Sequence, residues 1–206
     1  MPIAREGWPY VLTLLALGTV FAAASPVAGG LVIGLGLFTL FFFRDPERSV
    51  PGDAGAVLSP ADGRVVAVAP SADEPLAPGS TQVSIFLSIF NVHINRAPIG
   101  GRIAGVAYHK GEFLPAFDHK ASLRNEQNCV TVEDGARRVV FKQIAGLIAR
   151  RIVFRKRVGD SVAAGERVGL IKFGSRVDVF LPPGSEVTAK VGDRVQGGLS
   201  ILGRLP

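Results

Sequence analysis

Val158-Gly159-Asp160-Ser161-Val162, followed by Gly165, and Val191-Gly192-Asp193-Arg194-Val195, followed by Gly197, repeat one local pattern. In each copy the glycine can take positive φ and the aspartate can close a hydrogen bond onto nearby backbone, so each reads as a hairpin turn. The surrounding sequence reads the same way. Val57–Ala69, Val83–Phe90, Arg102–Tyr108, Cys129–Val132, Val139–Phe141, Val168–Phe173 and Val177–Leu181 are short runs rich in Val, Ile and Phe. Gly, Pro, Asp and Ser punctuate them, which predicts an all-β domain with many turns. Ile144–Ile152 fits a strand or a short helix, and Pro70–Ser80 and His109–Asn128 read as loops.

The first fifty residues differ in kind. Tyr10–Ala24 and Val27–Phe43 are apolar runs separated by Ser25-Pro26, and no charged side chain falls between Gly7 and Phe43. Proline disfavours one helix running through that point. Val27–Phe43 would rise about 25 Å as a helix, against a bilayer core of about 30 Å. Three readings stand. A helical hairpin would leave both ends, with Arg5 on one side and Arg44 and Arg48 on the other, in the cytoplasm. A shallow hairpin would enter and leave one leaflet. Ala22-Ala23-Ala24 also resembles a signal-peptide cleavage site, although a second apolar run follows at once. The expected organisation is a membrane-anchoring hairpin over residues 1–50 and a β domain over 51–206.

The 206 residues are 48% hydrophobic and 19% charged, with a formal net charge of +6. A basic chain with an apolar front end points to an acidic membrane surface. The run Arg150, Arg151, Arg155, Lys156, Arg157 either contacts acidic lipid or forms a solvated strand face. Nucleic acid is disfavoured because no stacking aromatics are interleaved with it. Cys129 is the only cysteine, so an intramolecular disulfide is excluded. The spacings among His93, His109 and His119 fit no local pair of metal ligands, and no metal is expected.

Three stretches combine polar groups with unusual neighbours: Ser59-Pro60-Ala61-Asp62-Gly63-Arg64, Phe86 to Pro98 (F-L-S-I-F-N-V-H-I-N-R-A-P), and Lys172-Phe173-Gly174-Ser175-Arg176-Val177-Asp178-Val179-Phe180. Asp62, His93 and Ser175 supply the residue types of an orienter, a base and a nucleophile. Spacing alone leaves a turn aspartate, a structural histidine and a common Gly-Ser dipeptide equally open. The G-x-S-x-G elbow of α/β-hydrolases is absent.

Taken in order, these stretches resemble the short branch of the phosphatidylserine decarboxylase family. The likeness also runs through Phe42-Phe43-Arg44-Asp45-Pro46-Glu47-Arg48, Tyr108-His109-Lys110-Gly111, Asn125-Glu126 and Gln143-Ile144-Ala145-Gly146-Leu147-Ile148-Ala149-Arg150-Arg151, ending at F-G-S-R-V-D-V-F-L-P. The resemblance implies a self-cleaving proenzyme. Ser175 would attack the Gly174 carbonyl, and elimination and hydrolysis would leave a pyruvoyl group on the new N-terminus, with His93, oriented by Asp62, as base. The two products would be a large chain ending at Gly174 and a small chain beginning at the former Ser175. The pyruvoyl group, made from the chain itself, would hold the substrate amine as a Schiff base and act as electron sink for decarboxylation of phosphatidylserine to phosphatidylethanolamine. Longer members carry H-x-x-H in the second stretch; here His93 is the only histidine there. Arg96 is a candidate bidentate partner of the substrate phosphate or carboxylate. His109 and Lys110 are further head-group candidates.

The implied location is the cell membrane, with the catalytic domain on the cytoplasmic side; a homodimer is left open. The implied fold is an intertwined pair of barrel-sandwich hybrid motifs, in which V-G-D-x-V turns recur. Two alternatives remain at this level: the same reaction on an archaeal-type ether-linked serine lipid, and a non-catalytic, membrane-tethered lipoyl-like adaptor. An adaptor needs a lysine at a hairpin tip, and neither V-G-D-x-V turn offers one.

Overall fold

The computed structural model describes residues 2–71, 78–114, 121–147, 151–172 and 175–206. His119, Gly174, Phe173, Arg150 and most of the Pro70–Ser80 loop therefore lie outside the described residues. The chain divides into two compact units, residues 1–47 and 48–206.

The first unit is a pair of helices, α1 (Trp8–Ala24) and α2 (Pro26–Phe42). Ser25 separates them as the proline pattern predicts: it is extended, its Oγ accepts from Ala28 N at 3.4 Å, and Pro26 occupies the first turn, where no amide hydrogen is needed. Glycine lets the helices approach. A Cβ on Gly29 would come 2.5 Å from the Ala22 backbone, and one on Gly18 would strike Ile33 at 2.6 Å. Thr19 and Thr39 return their hydroxyls to the carbonyls of Ala16 and Leu35, so neither asks the surroundings for a partner. The outward surface is apolar, with Leu12, Val20, Val27, Leu31 and Leu37 all exposed. No described helix is long and apolar enough to cross a membrane.

The second unit is β, as the Val/Ile runs predict. Its strands are β1 (Ala56–Leu58), β2 (Gly63–Pro70), β3 (Thr81–Leu87), β4 (Ile94–Arg96), β5 (Gly101–His109), β6 (Gln127–Asp134), β7 (Arg137–Ala145), β8 (Arg151–Phe154), β9 (Ser161–Val162), β10 (Arg167–Lys172), β11 (Ser175–Leu181), β12 (Glu186–Val187), β13 (Arg194–Val195) and β14 (Ile201–Arg204). One helical turn, α3 (Ala121–Arg124), interrupts the polar stretch before β6. A curled antiparallel sheet runs β13-β2-β3-β11-β7-β6-β5-β9; two three-stranded sheets run β1-β14-β12 and β4-β10-β8. One face of the large sheet, including Val83, Ile85, Leu87, Val130, Phe141, Val177 and Val179, builds a core that Ile171, Val168 and Leu202 complete from the smaller sheets.

The order of the large sheet is symmetric about its middle, and the V-G-D-x-V turns show why. Gly159 and Gly192 both have φ of 100°, a conformation only glycine takes without strain. Asp160 Oδ2 accepts from Arg157 N, and Asp193 Oδ2 from Lys190 N, each at 2.8 Å. The first turn docks on β5 by Gly159 N to Ile103 O and Ile103 N to Asp160 O; the second docks on β2 by Gly192 N to Val65 O and Val65 N to Asp193 O. Arg102 and Arg64 each donate Nε to the turn glycine's carbonyl. Ala97-Pro98-Ile99-Gly100-Gly101-Arg102 is thus the counterpart of Ser59-Pro60-Ala61-Asp62-Gly63-Arg64. The glycine matching Gly165 is Gly198 rather than Gly197, since Gly165 N and Gly198 N bond Ala97 O and Ser59 O. The expected pair of intertwined hybrid motifs is present, and Val57–Ala69 is two strands parted by a turn at Ser59–Asp62.

Candidate active site

Ser175 opens β11, a central strand, in register with Leu87 of β3 and Ala145 of β7. Alternation puts Ser175, Val177 and Val179 on the core face and Arg176, Asp178 and Phe180 on the other. Ser175 is fully buried, and its Oγ has no hydrogen-bond partner among the described residues. A buried hydroxyl without a partner is costly in a native core. The opposite face anchors the strand. Arg176 Nε donates to Asp178 Oδ1 at 2.7 Å and Nη2 to Ser84 Oγ at 2.6 Å, while Gln82 Nε2 donates to Asp178 Oδ2 at 2.9 Å. This buried ion pair is satisfied on both sides and locks β11 to β3 behind the serine.

His93 is buried in the segment joining β3 to β4, and its carbonyl accepts from Ile171 N on β10, the strand that leads toward Ser175. Its Nδ1 lies 2.9 Å from the Asn91 carbonyl oxygen. A carbonyl can only accept, so in the neutral ring the proton sits on Nδ1 and the lone pair on Nε2. Asn91 is fixed in turn: its Oδ1 accepts from Ser88 N and Ser88 Oγ.

Asp62 is not the group found on Nδ1. Its carboxylate takes a bidentate pair from Arg48, Nη1 to Oδ1 at 2.6 Å and Nη2 to Oδ2 at 2.8 Å, and a third bond from Gly197 N at 2.8 Å. Arg48 also donates to the Gly197 carbonyl. In this structure the Asn91 carbonyl lies on His93 Nδ1, and the hydrogen-bond partners of the Asp62 carboxylate are Arg48 and the Gly197 amide. Gly100, the counterpart of Asp62 in the other half, has no side chain, so the Arg48 clamp belongs to one half only. Arg48 was legible as the last residue of the Phe42–Arg48 stretch, but nothing in that stretch indicated its partner.

A cavity of ≈ 520 Å³ borders Asp62, Arg64, Phe86, Ser88, Asn91 and Arg194. It touches Asn91, whose carbonyl lies on His93 Nδ1, and neither His93 nor Ser175 lines it. Arg96 is buried and donates Nη1 to the Gly165 carbonyl at 2.9 Å, bracing the turn between β9 and β10. His109 and Lys110 are exposed at the end of β5. Beside them, burial and then the Glu126 carboxylate push the Tyr108 phenol up to about 12. Asn125 is a further residue without a prior role: its Nδ2 donates to the carbonyls of Leu114 and Ala145, and Ala145 is the β7 partner of Ser175. No cluster of His, Cys, Asp and Glu able to hold a metal occurs among the described residues.

The family model described as phosphatidylserine decarboxylase matches residues 35–203. The chain belongs to the phosphatidylserine decarboxylase family. It is 51% identical to the phosphatidylserine decarboxylase proenzyme of Solibacter usitatus, over 99% of this chain and 97% of that protein. It is 48% identical to the proenzyme of Symbiobacterium thermophilum, over 99% and 96%, and 43% identical to that of Geobacter metallireducens, over 100% and 97%. Family membership extends over all three stretches that carry Asp62, His93 and Ser175.

Proposed function

We propose that the chain is a proenzyme that cuts itself between Gly174 and Ser175 and then decarboxylates phosphatidylserine to phosphatidylethanolamine. The observation that carries this reading is the buried, unpartnered Oγ of Ser175 at the head of a central strand, in a chain that aligns end to end with decarboxylase proenzymes. His93 Nε2, with its lone pair fixed by the Asn91 contact, takes the Ser175 proton as Oγ attacks the Gly174 carbonyl carbon. The C–N bond breaks, nitrogen takes a proton, and an ester replaces the peptide bond. Loss of the Ser175 Cα proton then expels the Gly174 carboxylate. The remaining enamine tautomerises, and one water releases ammonia, leaving a pyruvoyl group at residue 175.

The residues present fit that group: its position is buried and fixed between β3 and β7. Once formed, it supplies the electron sink for the carbanion left when carbon dioxide departs. His93 remains in the β3–β4 segment to return a proton to that carbon.

The hairpin anchors the chain at the cell membrane, with the β unit on the cytoplasmic side. Supporting this are the apolar outward face of both helices and their 17-residue lengths, which favour a shallow seat in one leaflet.

Intact mass under denaturing conditions tests the enzyme reading. Two chains, the smaller blocked at its N-terminus by pyruvate, are expected, and Ser175→Ala is expected to give one uncut, inactive chain. A Ser175→Ala protein that decarboxylates at the normal rate refutes it.

A further inference from the structure

We propose that Arg64 and Arg194 form a site for the phosphate of an anionic phospholipid head group, with the apolar tip Ile89-Phe90 seated in the bilayer beside it; this rests on the reading that the chain acts on a phospholipid. The two arginines stand directly opposite each other on β2 and β13. Like charges so placed repel, and the strand pair gains nothing from them. Both are exposed, and both line the cavity of ≈ 520 Å³. Arg64 Nε donates to the Gly192 carbonyl at 3.1 Å, and neither arginine has a carboxylate partner among the described residues. The nearby acids are engaged elsewhere. Asp62, in the same cavity, is neutralised by the bidentate Arg48 pair, and Asp193 accepts from the Lys190 amide within its own turn. The lining of the cavity is left with two unpaired positive charges.

The other half of the internal repeat shows that the fold does not need this pair. There Arg102 makes the same bond, Nε to the Gly159 carbonyl, and its cross-strand partner on β9 is Ser161. One arginine is enough to hold the turn. Arg194, like Asp62 and its clamp, occurs on one half only, and the cavity lies on that half.

The surroundings of the arginines point to a lipid. Phe86 is the β3 partner of Arg64; it is half-buried and gives the cavity an apolar wall. Ser88 and Asn91 also line the cavity and close a four-residue turn, in which Asn91 N donates to Ser88 O at 2.9 Å and Asn91 Oδ1 accepts from Ser88 N and Oγ. The two residues at the tip of that turn, Ile89 and Phe90, are 37% and 64% exposed. A fixed apolar tip beside a guanidinium pair matches the bilayer boundary, where acyl chains and phosphates adjoin. Each guanidinium offers parallel N–H donors that fit two phosphate oxygens. A soluble phosphate would satisfy the arginines but leave the apolar tip in water. The same turn carries the carbonyl that lies on His93 Nδ1, so the proposed head-group site shares a wall with the residue that orients His93.

The test puts a reporter at the tip. The full-length chain carrying Trp8→Phe and Phe90→Trp, which moves its single tryptophan to the turn, is reconstituted in vesicles of phosphatidylcholine with brominated acyl chains and increasing phosphatidylglycerol, an anionic lipid that is not the substrate. Quenching of the introduced indole by bromine is expected to rise with phosphatidylglycerol. Arg194→Gln, which removes a charge but no turn bond, is expected to need about 5-fold more of that lipid for half-maximal quenching, and Arg194→Lys to recover part of the loss. Arg102→Gln, the same change of charge on the other half of the repeat, is expected to behave as the parent. An Arg194→Gln protein that matches the parent overturns the site. So does an Arg102→Gln protein that shifts as far, because the effect then belongs to the charge of the whole chain. Inorganic phosphate that raises the melting midpoint of the parent but not of Arg194→Gln, while anionic vesicles leave the indole unquenched, identifies a soluble anion and overturns the lipid. No turnover is read, so a chain that shows the expected quenching but never decarboxylates refutes the catalytic reading and not the site.

Discussion

Replacing Arg48 by methionine removes the guanidinium from a buried carboxylate while keeping most of the side-chain volume. The Arg48 and Asp62 side chains are 7% and 11% exposed, and the pair is bidentate. Breaking a buried ion pair by deleting one partner costs about 3–5 kcal/mol, mostly from the stranded charge. Two details of the site choose the lower end. Gly197 N still donates to Oδ1, and the cavity beside Asp62 lets water reach the abandoned oxygen. A loss of about 3 kcal/mol in a unit of this size lowers the melting midpoint by about 6–12 °C. The assay is differential scanning calorimetry in a Ser175→Ala background, where the chain stays whole and a single midpoint is defined. The second variant, Arg48→Met with Asp62→Leu, removes both charges and leaves the Gly197 amide without its acceptor, a loss of about 1–3 kcal/mol, while the Gly197 carbonyl loses its Arg48 donor in both variants alike. It is expected to recover part of the midpoint. A single variant melting within about 2 °C of its parent, or a double variant less stable than the single, refutes the reasoning.

Two further outcomes are expected. Burial works against the Glu166 charge, but Lys156 and the Ala163 amide outweigh it and hold the carboxyl below its ordinary value of 4.5. Its contribution is therefore complete above the unfolded value and is lost as pH falls through the folded one, so Glu166→Gln flattens the acid limb of a stability–pH profile; an unchanged limb counts against the pair. In the hairpin, Gly29→Leu pushes the helices apart while Gly30→Leu, which meets nothing within 4 Å, does not. Thermal loss of the helical circular-dichroism signal of the hairpin is expected to come at lower temperature with the first and at an unchanged temperature with the second.

The Val- and Ile-rich runs were enough to predict β2, β3, β5, β6, β7, β10 and β11 in outline, because a strand buried on one face writes its period into the sequence, whereas β4, β8 and β9 are too short to do so. The V-G-D-x-V turns announced half of a repeat. The other half, Gly63-Arg64-Val65 against Gly101-Arg102-Ile103, is too short to notice until the turns are seen docked on it. Asp62, His93 and Ser175 stood out through family resemblance, whereas their bonds did not. Arg48 meets Asp62 only after the chain has folded back, and a carbonyl, that of Asn91, has no letter of its own. The arginine pair was hidden for a similar reason. Arg64 and Arg194 lie far apart in sequence, and each alone is an ordinary charged residue in a strand pattern.

Residues 175–206 contribute β11 between β3 and β7, β13 beside β2, and β14 beside β1 with β12 on its other side. If the bond before Ser175 is cut as proposed, the pairings of β11 with β3 and β7, of β13 with β2 and of β14 with β1 each join two separate polypeptides. Their association was achieved when they were one chain, at the high effective concentration that a peptide connection provides. A protein processed in that way depends on a history it cannot repeat: if it unfolds, its pieces must find each other in dilute solution. Its lifetime is then set by how slowly the sheet opens around its middle strand, which makes the processed protein kinetically rather than reversibly stable.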